Sequence, residues 1–203
     1  MFSQYGEEEV LLHFFGKKEG GILVDVGASD GVRYSNSRYL ITHLGWKALL
    51  VEPHPVSFSS LEEIYKHNEN IILKNLACFD SETTVDFYMY DQGDNACVST
   101  ISKSFKQRVI NAYGDKFAEP IKVESVTLET LLSNYEHVDF LSVDCEGVDM
   151  QVLKSNNWKK NRPSLICIEH SMDESVLQKF AKDIKYTQYA RTSGNTFFKD
   201  SQT

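Results

Sequence analysis

The chain has 203 residues, 21 Lys and Arg against 29 Asp and Glu, a formal net charge of −8 and 41% hydrophobic residues. That is apolar material for one sizeable core rather than two, so a single domain over 1–203 is expected, and an acidic chain without a basic block excludes a nucleic-acid backbone as its main partner. The opening MFSQYGEEEV carries acids where a secretory signal carries cations followed by an apolar stretch, and no apolar run approaches membrane-spanning length; a cytoplasmic location with no membrane span is expected.

In chain order, residues 1–20 read as a flank, with Val10, Leu11, Phe14 and Phe15 forming one apolar stripe that predicts a helix over 7–15. Apolar runs rich in β-branched residues predict strands over 22–26, 47–52, 71–77, 140–144 and 164–169. Between them, Leu40, Ile41 and Leu44 mark a helix capped near Ser35, and Phe58, Leu61, Ile64 and Tyr65 mark another. Residues 83–90 alternate as a strand, and Val176, Leu177, Phe180, Ala181 and Ile184 repeat as a helix. Residues 186–199 read as two strands around Ser193-Gly194-Asn195. Strands alternating with helices predict an α/β, Rossmann-like fold: a mostly parallel central sheet, helices on both faces, and a C-terminal antiparallel hairpin that makes one edge mixed. Residues 91–120 are the least regular stretch, turn-rich at Gly93-Asp94-Asn95 with a helix predicted over 104–113; an insertion of this kind is a natural place for substrate contacts. Cys78, Cys97, Cys145 and Cys167 form no CxxC pair and no zinc-like spacing with histidine, which fits a reducing compartment.

The chemistry concentrates at two strand ends. Val24-Asp25-Val26-Gly27-Ala28-Ser29-Asp30-Gly31 follows the first strand, where glycines let the backbone approach a ligand and adopt positive φ. The second strand ends at Glu52, a position from which a carboxylate accepts hydrogen bonds from both hydroxyls of a ribose. The spacing GxGxxG is absent, and the turn is flanked by Asp25 and Asp30. Those charges repel a pyrophosphate and suit an ammonium or sulfonium, which points to S-adenosylmethionine rather than a dinucleotide. The alternative for Asp25 and Asp30 is the capping of backbone amides.

These residues resemble the FkbM-type methyltransferases. The resemblance runs through Ser3-Gln4-Tyr5-Gly6-Glu7, Asp25-Val26-Gly27-Ala28-Ser29-Asp30-Gly31, Tyr34-Ser35-Asn36, Gly45-Trp46-Lys47 and Val51-Glu52-Pro53. It continues at Val126-Thr127-Leu128, Val138-Asp139-Phe140-Leu141-Ser142-Val143-Asp144-Cys145-Glu146-Gly147 and Glu169-His170. It implies a class I methyltransferase fold, S-adenosylmethionine as donor, and O-methylation of hydroxyls on sugars, glycans or other natural products. It assigns Asp25, Gly27, Ala28, Ser29, Gly31, Asn36, Glu52, Pro53, Leu76 and Ala77 to the cofactor, the last two beside adenine. One departure is Asp149, where the family commonly has a glutamate.

Asp144 and Glu146 follow the strand over 140–144, and His170 follows the strand over 164–169. Ligands of open α/β sheets gather beyond the carboxyl ends of strands, so these three are expected at the reaction centre, one of them as general base. The alternatives are that the acids cap the helix beginning near Asp149 and His170 is a hydrogen-bonded surface residue, or that the three hold a divalent cation. For the whole chain the rivals are an NAD(P)-dependent oxidoreductase on a similar fold and a non-catalytic module that binds an adenosine cofactor.

Overall fold

In a computed structural model the chain is described over residues 2–90, 97–170 and 173–202. The Gly93-Asp94-Asn95 turn expected within 91–120 lies outside these residues. The elements run α1 (Glu7–Phe15), β1 (Ile22–Val26), α2 (Arg38–Leu44), β2 (Lys47–Val51), α3 (Pro55–Tyr65), β3 (Ile71–Lys74), β4 (Ala77–Phe79) and β5 (Thr83–Phe87). They continue with α4 (Lys103–Tyr113), β6 (Ile121–Thr127), α5 (Leu128–Leu132), β7 (Phe140–Val143), α6 (Asp149–Lys154), β8 (Leu165–Glu169), α7 (Glu174–Asp183), β9 (Tyr186–Arg191) and β10 (Asn195–Asp200).

Seven strands form one sheet in the order β3-β2-β1-β7-β8-β10-β9, parallel except for β10, which pairs antiparallel with both β8 and β9. The alternation of the strands divides the core between its two faces. Leu23, Ala48, Leu50, Phe140, Leu165 and Cys167 pack with α1, α2 and α3. Val24, Val26, Leu49, Leu141, Val143 and Ile168 pack with α5, α6 and α7. From β1 the chain winds outward through β2 and β3, and from β7 it winds the other way, so the order reverses between β1 and β7, where such sheets open a crevice for ligands.

The strand expected over 71–77 is broken. β3 stops at Lys74, and Ala77–Phe79 leaves for a second sheet of order β4-β6-β5. Asn75 makes the break, because its side-chain amide donates to the carbonyls of Glu52 at 2.8 Å and Pro53 at 3.3 Å and so turns the chain away from β2. The helix after the glycine turn begins later than expected, at Arg38 after Ser37, although Ser35 Oγ still accepts from the Arg38 amide at 3.1 Å. Among the described residues no helix is long and apolar enough to cross a membrane.

Candidate active site

A cavity of about 560 Å³ opens at the carboxyl ends of β1, β2, β7 and β8, within the size range of small-molecule sites. Its hinge is Gly27 (φ +89°), where an added Cβ would stand 1.8 Å from the Asp144 carbonyl oxygen. The amides of Gly27 and Ala28 both donate to the Val51 carbonyl, at 2.9 and 3.1 Å, and the Asp144 amide donates to Val26 at 3.0 Å. The turns after β1 and β7 are thus locked together. Among the described residues, Ser29, Tyr34, Glu146 and Lys185 are the non-glycines with positive φ, and the first three line the cavity; strained backbone of this kind gathers at functional sites.

Glu52 follows β2 with 7% of its surface exposed. Its Oε2 accepts from the Ser29 amide and its Oε1 from the His54 amide, both at 2.8 Å. Burial pushes its carboxyl up to about 7, against the pull of those two amides. Each oxygen keeps acceptor capacity for a further hydroxyl. Asp25 lies buried on the face of β1 toward α2, and burial raises it above the usual carboxylate range against the pull of the Ser37 and Ser142 hydroxyls. Asn36, also buried, has an Oδ1 with no partner among the described residues. Asp30 is committed differently. It accepts from the amides of Val32 and Arg33 at 2.9 Å and pairs with Arg33 Nε at 3.0 Å, so although burial opposes it, its carboxyl is held below its ordinary value.

Across the cavity, the parallel register sets Val143 opposite Ile168 and brings Asp144 beside Glu169. Asp144, Asp149 and Glu169 each present an oxygen within 4.8 Å of the others. Asp149 serves the turn, since its Oδ1 accepts from the Cys145 amide at 2.7 Å and its Oδ2 from the Gly147 amide at 3.4 Å. Asp144 Oδ1 and Glu169 Oε2 are buried without a partner among the described residues. Burial first, then Glu169 and Glu146, raise Asp144 well above its ordinary value. Burial and then the Glu169 charge raise Glu146 likewise.

His170 Nε2 lies 2.7 Å from Thr196 Oγ1, and the His170 amide donates to Gly194 at 2.9 Å. Burial and then the Arg191 charge lower its pKa, so the ring is neutral near pH 7.

The lining includes Asp25, Gly27, Ala28, Ser29, Asn36, Glu52, Pro53, Ala77, Asp144, Glu146 and His170 from the expected set, but neither Gly31 nor Leu76. At Gly31 an added Cβ would stand 2.5 Å from Leu61 Cδ2, so this glycine permits α3 to approach the turn. Leu76 packs into the core beneath β4. Glu169 and Tyr5 are among the lining residues that sequence reasoning did not assign to the site, whereas 98–101 and Tyr113 come from the 91–120 stretch where substrate contacts are expected. Glu169 carried a local signal, since it immediately precedes His170 at a strand end.

The chain matches the family model of the methyltransferase FkbM domain over residues 25–189. No curated protein matches it. The methyltransferase FkbM from Methylobacillus flagellatus KT is 14% identical, with a TM-score of 0.56 over 90% of this chain and 44% of that one. This chain therefore spans less than half the length of that structure. Precorrin-6y C5,15-methyltransferase from Geobacter metallireducens GS-15 is 9% identical, with a TM-score of 0.52 over 95% of this chain and 87% of that one. At these identities the likeness is one of fold, and the fold is that of the class I methyltransferases.

Proposed function

Because this chain belongs to the FkbM methyltransferase family, we propose that it is an S-adenosylmethionine-dependent O-methyltransferase whose acceptor is a hydroxyl of a sugar, a glycan or another natural-product small molecule. The observation that carries this reading is Glu52, buried at a strand end with each oxygen braced by a backbone amide and able to accept from a ribose diol. The donor set fits the rest of the molecule. Asp25 and the unpartnered Asn36 Oδ1 supply acceptors for an ammonium, and the glycine turn supports no pyrophosphate. Ser29, Pro53 and Ala77 complete the cofactor half of the lining.

When bound, S-adenosylmethionine supplies a methyl group on a sulfonium, so that the protein's main task is to align the nucleophile with the methyl carbon. A hydroxyl acceptor must also lose a proton. Asp144, Glu146 and His170 line the cavity where that proton has to go, and each favours its neutral form, as burial dictates. Any of them that is deprotonated at the working pH is a general base of suitable strength. Residues 98–101 and Tyr113, from the 91–120 stretch, form the acceptor side, and the chain works as one methyltransferase domain. Among the described residues Cys78, Cys97, Cys145 and Cys167 form no disulfide, which supports a cytoplasmic setting.

The test is calorimetric titration with S-adenosylmethionine and S-adenosylhomocysteine. It is followed by assays for S-adenosylhomocysteine release with sugar, glycoside and phenol acceptors, and with amines as the competing class. Binding of both ligands with turnover confined to hydroxyls is expected. Uptake of neither ligand overturns the reading, and turnover on amines alone overturns the O-methyl assignment.

A further inference from the structure

The run Ser3-Gln4-Tyr5-Gly6-Glu7 has no part in the cofactor half of the site or in its acids, yet Gln4 and Tyr5 line the cavity. It is held by carboxylates of the helix it leads into. Gly6, at φ +86°, bends the chain back at the start of α1. The Tyr5 amide then donates to Glu7 Oε2 at 2.8 Å, and the amides of Phe2 and Ser3 donate to Glu8 Oε1. Glu7 is fully buried, and its Oε1 accepts from Thr192 Oγ1 at 2.6 Å and from Asn195 Nδ2 at 3.0 Å. Although burial opposes it, these bonds hold its carboxyl below its ordinary value. At neutral pH Glu7 is thus an ionised acceptor that ties the N-terminal run to the turn between β9 and β10, and bonds to a charged acceptor are the strong ones.

The same turn carries the seat of the Tyr5 ring. At Gly194 an added Cβ would stand 2.4 Å from Tyr5 Cε2, although Gly194 is not among the glycines with positive φ. Its backbone would accept a side chain, and the ring lying over it does not. The Gly194 carbonyl accepts from the His170 amide at 2.9 Å, and the His170 ring is held against Thr196, so Tyr5 stands in the wall beside His170. Glu52, which takes the adenosine in the cofactor reading, ends β2, and β1, β7 and β8 lie between β2 and β10 in the sheet. The end of the cavity that Tyr5 walls is therefore the one away from the adenosine. Its ring, about half exposed, offers that end a flat apolar face with a polar tip.

Resting on the methyltransferase reading above, we infer that Tyr5 is an acceptor-binding residue whose ring packs against the methyl acceptor, and that Glu7 is the positioning residue that seats it, with one oxygen on the Tyr5 amide and the other on the 192–195 turn. The N-terminal run is then part of the active site, and it acts on the acceptor and not on the donor. Two changes unseat the ring without touching any residue of the cofactor half. Tyr5→Ala removes it, and Gly194→Ala pushes it from its seat by a methyl group on a backbone that tolerates one. Glu7→Gln replaces one acceptor oxygen by a donor and so breaks one side of the link.

The test uses the full chain, S-adenosylhomocysteine as the calorimetric probe of the cofactor half, and whichever of the sugar, glycoside, phenol and amine acceptors turns over fastest. Tyr5→Ala and Gly194→Ala should each raise the acceptor KM about tenfold, with kcat changed less than about threefold and S-adenosylhomocysteine affinity less than about twofold. The two should not add, since both remove the same ring: the double variant should match Tyr5→Ala. Glu7→Gln should raise KM in the same sense, again without adding to Tyr5→Ala, and should speed hydrogen exchange in residues 2–6. Should Glu7→Gln fail to fold, the two ring variants decide the matter alone. A KM within about twofold of the unaltered value in both ring variants overturns the inference, as do effects that simply add, or a loss of S-adenosylhomocysteine affinity equal to the rise in KM. If the unaltered chain binds S-adenosylhomocysteine and methylates an acceptor while the variants behave like it, only this inference falls. If it binds neither donor nor product, or binds them and methylates no acceptor, the methyltransferase reading falls and this inference with it.

Discussion

Glu52 and Glu169 occupy equivalent places on the two sides of the reversal between β1 and β7, and both carboxyls are pushed up to about 7, mainly by burial. Their wiring is opposite. Glu52 has both oxygens fixed by amides of the Ser29 and His54 backbone, whereas Glu169 stands beside Asp144 with its Oε2 buried and unpartnered among the described residues. The same desolvation thus produces two devices. Amides that cannot titrate make a rigid acceptor of fixed orientation, and a carboxyl partner that does titrate makes a group whose charge responds to what lies beside it.

The sharpest way to break the comparison is at the joint between the two halves. Gly27→Ala drives a Cβ into the Asp144 carbonyl and strains a backbone at φ +89°, and should cost more than about 4 kcal/mol. Thermal unfolding and soluble yield measure this, and a stable, ligand-binding variant would show that the halves are not coupled as described. Next in size, Glu52→Ala removes a buried acceptor from the cofactor side, and S-adenosylhomocysteine affinity should fall about 100-fold, whereas Glu169→Gln should change it less than tenfold. Calorimetry separates the two, and equal losses would erase the distinction between rigid and responsive carboxyls.

A smaller effect is the pH dependence of the ligand-free protein. The Glu52 carboxyl sits at about 7 in the folded chain against an ordinary 4.5, so between those values the folded state holds a proton that the unfolded state has lost. Stability should therefore rise as pH falls through that window, by about 2 kcal/mol from this group. Melting temperatures measured from pH 8 down to pH 5 should show the rise, and Glu52→Gln should flatten it. Smallest is Thr100→Val. Thr100 Oγ1 donates to the Glu146 carbonyl at 2.7 Å and ties the 98–101 segment to the reactive turn, so its loss should cost about 1 kcal/mol without altering cofactor affinity.

What the sequence alone determined is local. The helix over Glu7–Phe15, strand β1, the glycine turn, Glu52 at the end of β2 and the closing hairpin were all legible, because each is written in periodicity or in adjacent residues whose backbone preferences agree. Only the tertiary structure decided where the local pattern stops governing. The run after Ile71 reads as one strand until Asn75 bonds back to Glu52 and Pro53 and sends Ala77–Phe79 into another sheet. Gly31 belongs with the motif in sequence but in space answers to Leu61, and Glu169 meets Asp144 only through the register of β7 with β8. Pairing across strands is a relation between segments distant in the chain, and the protonation of a buried carboxyl depends on which other groups that pairing brings beside it.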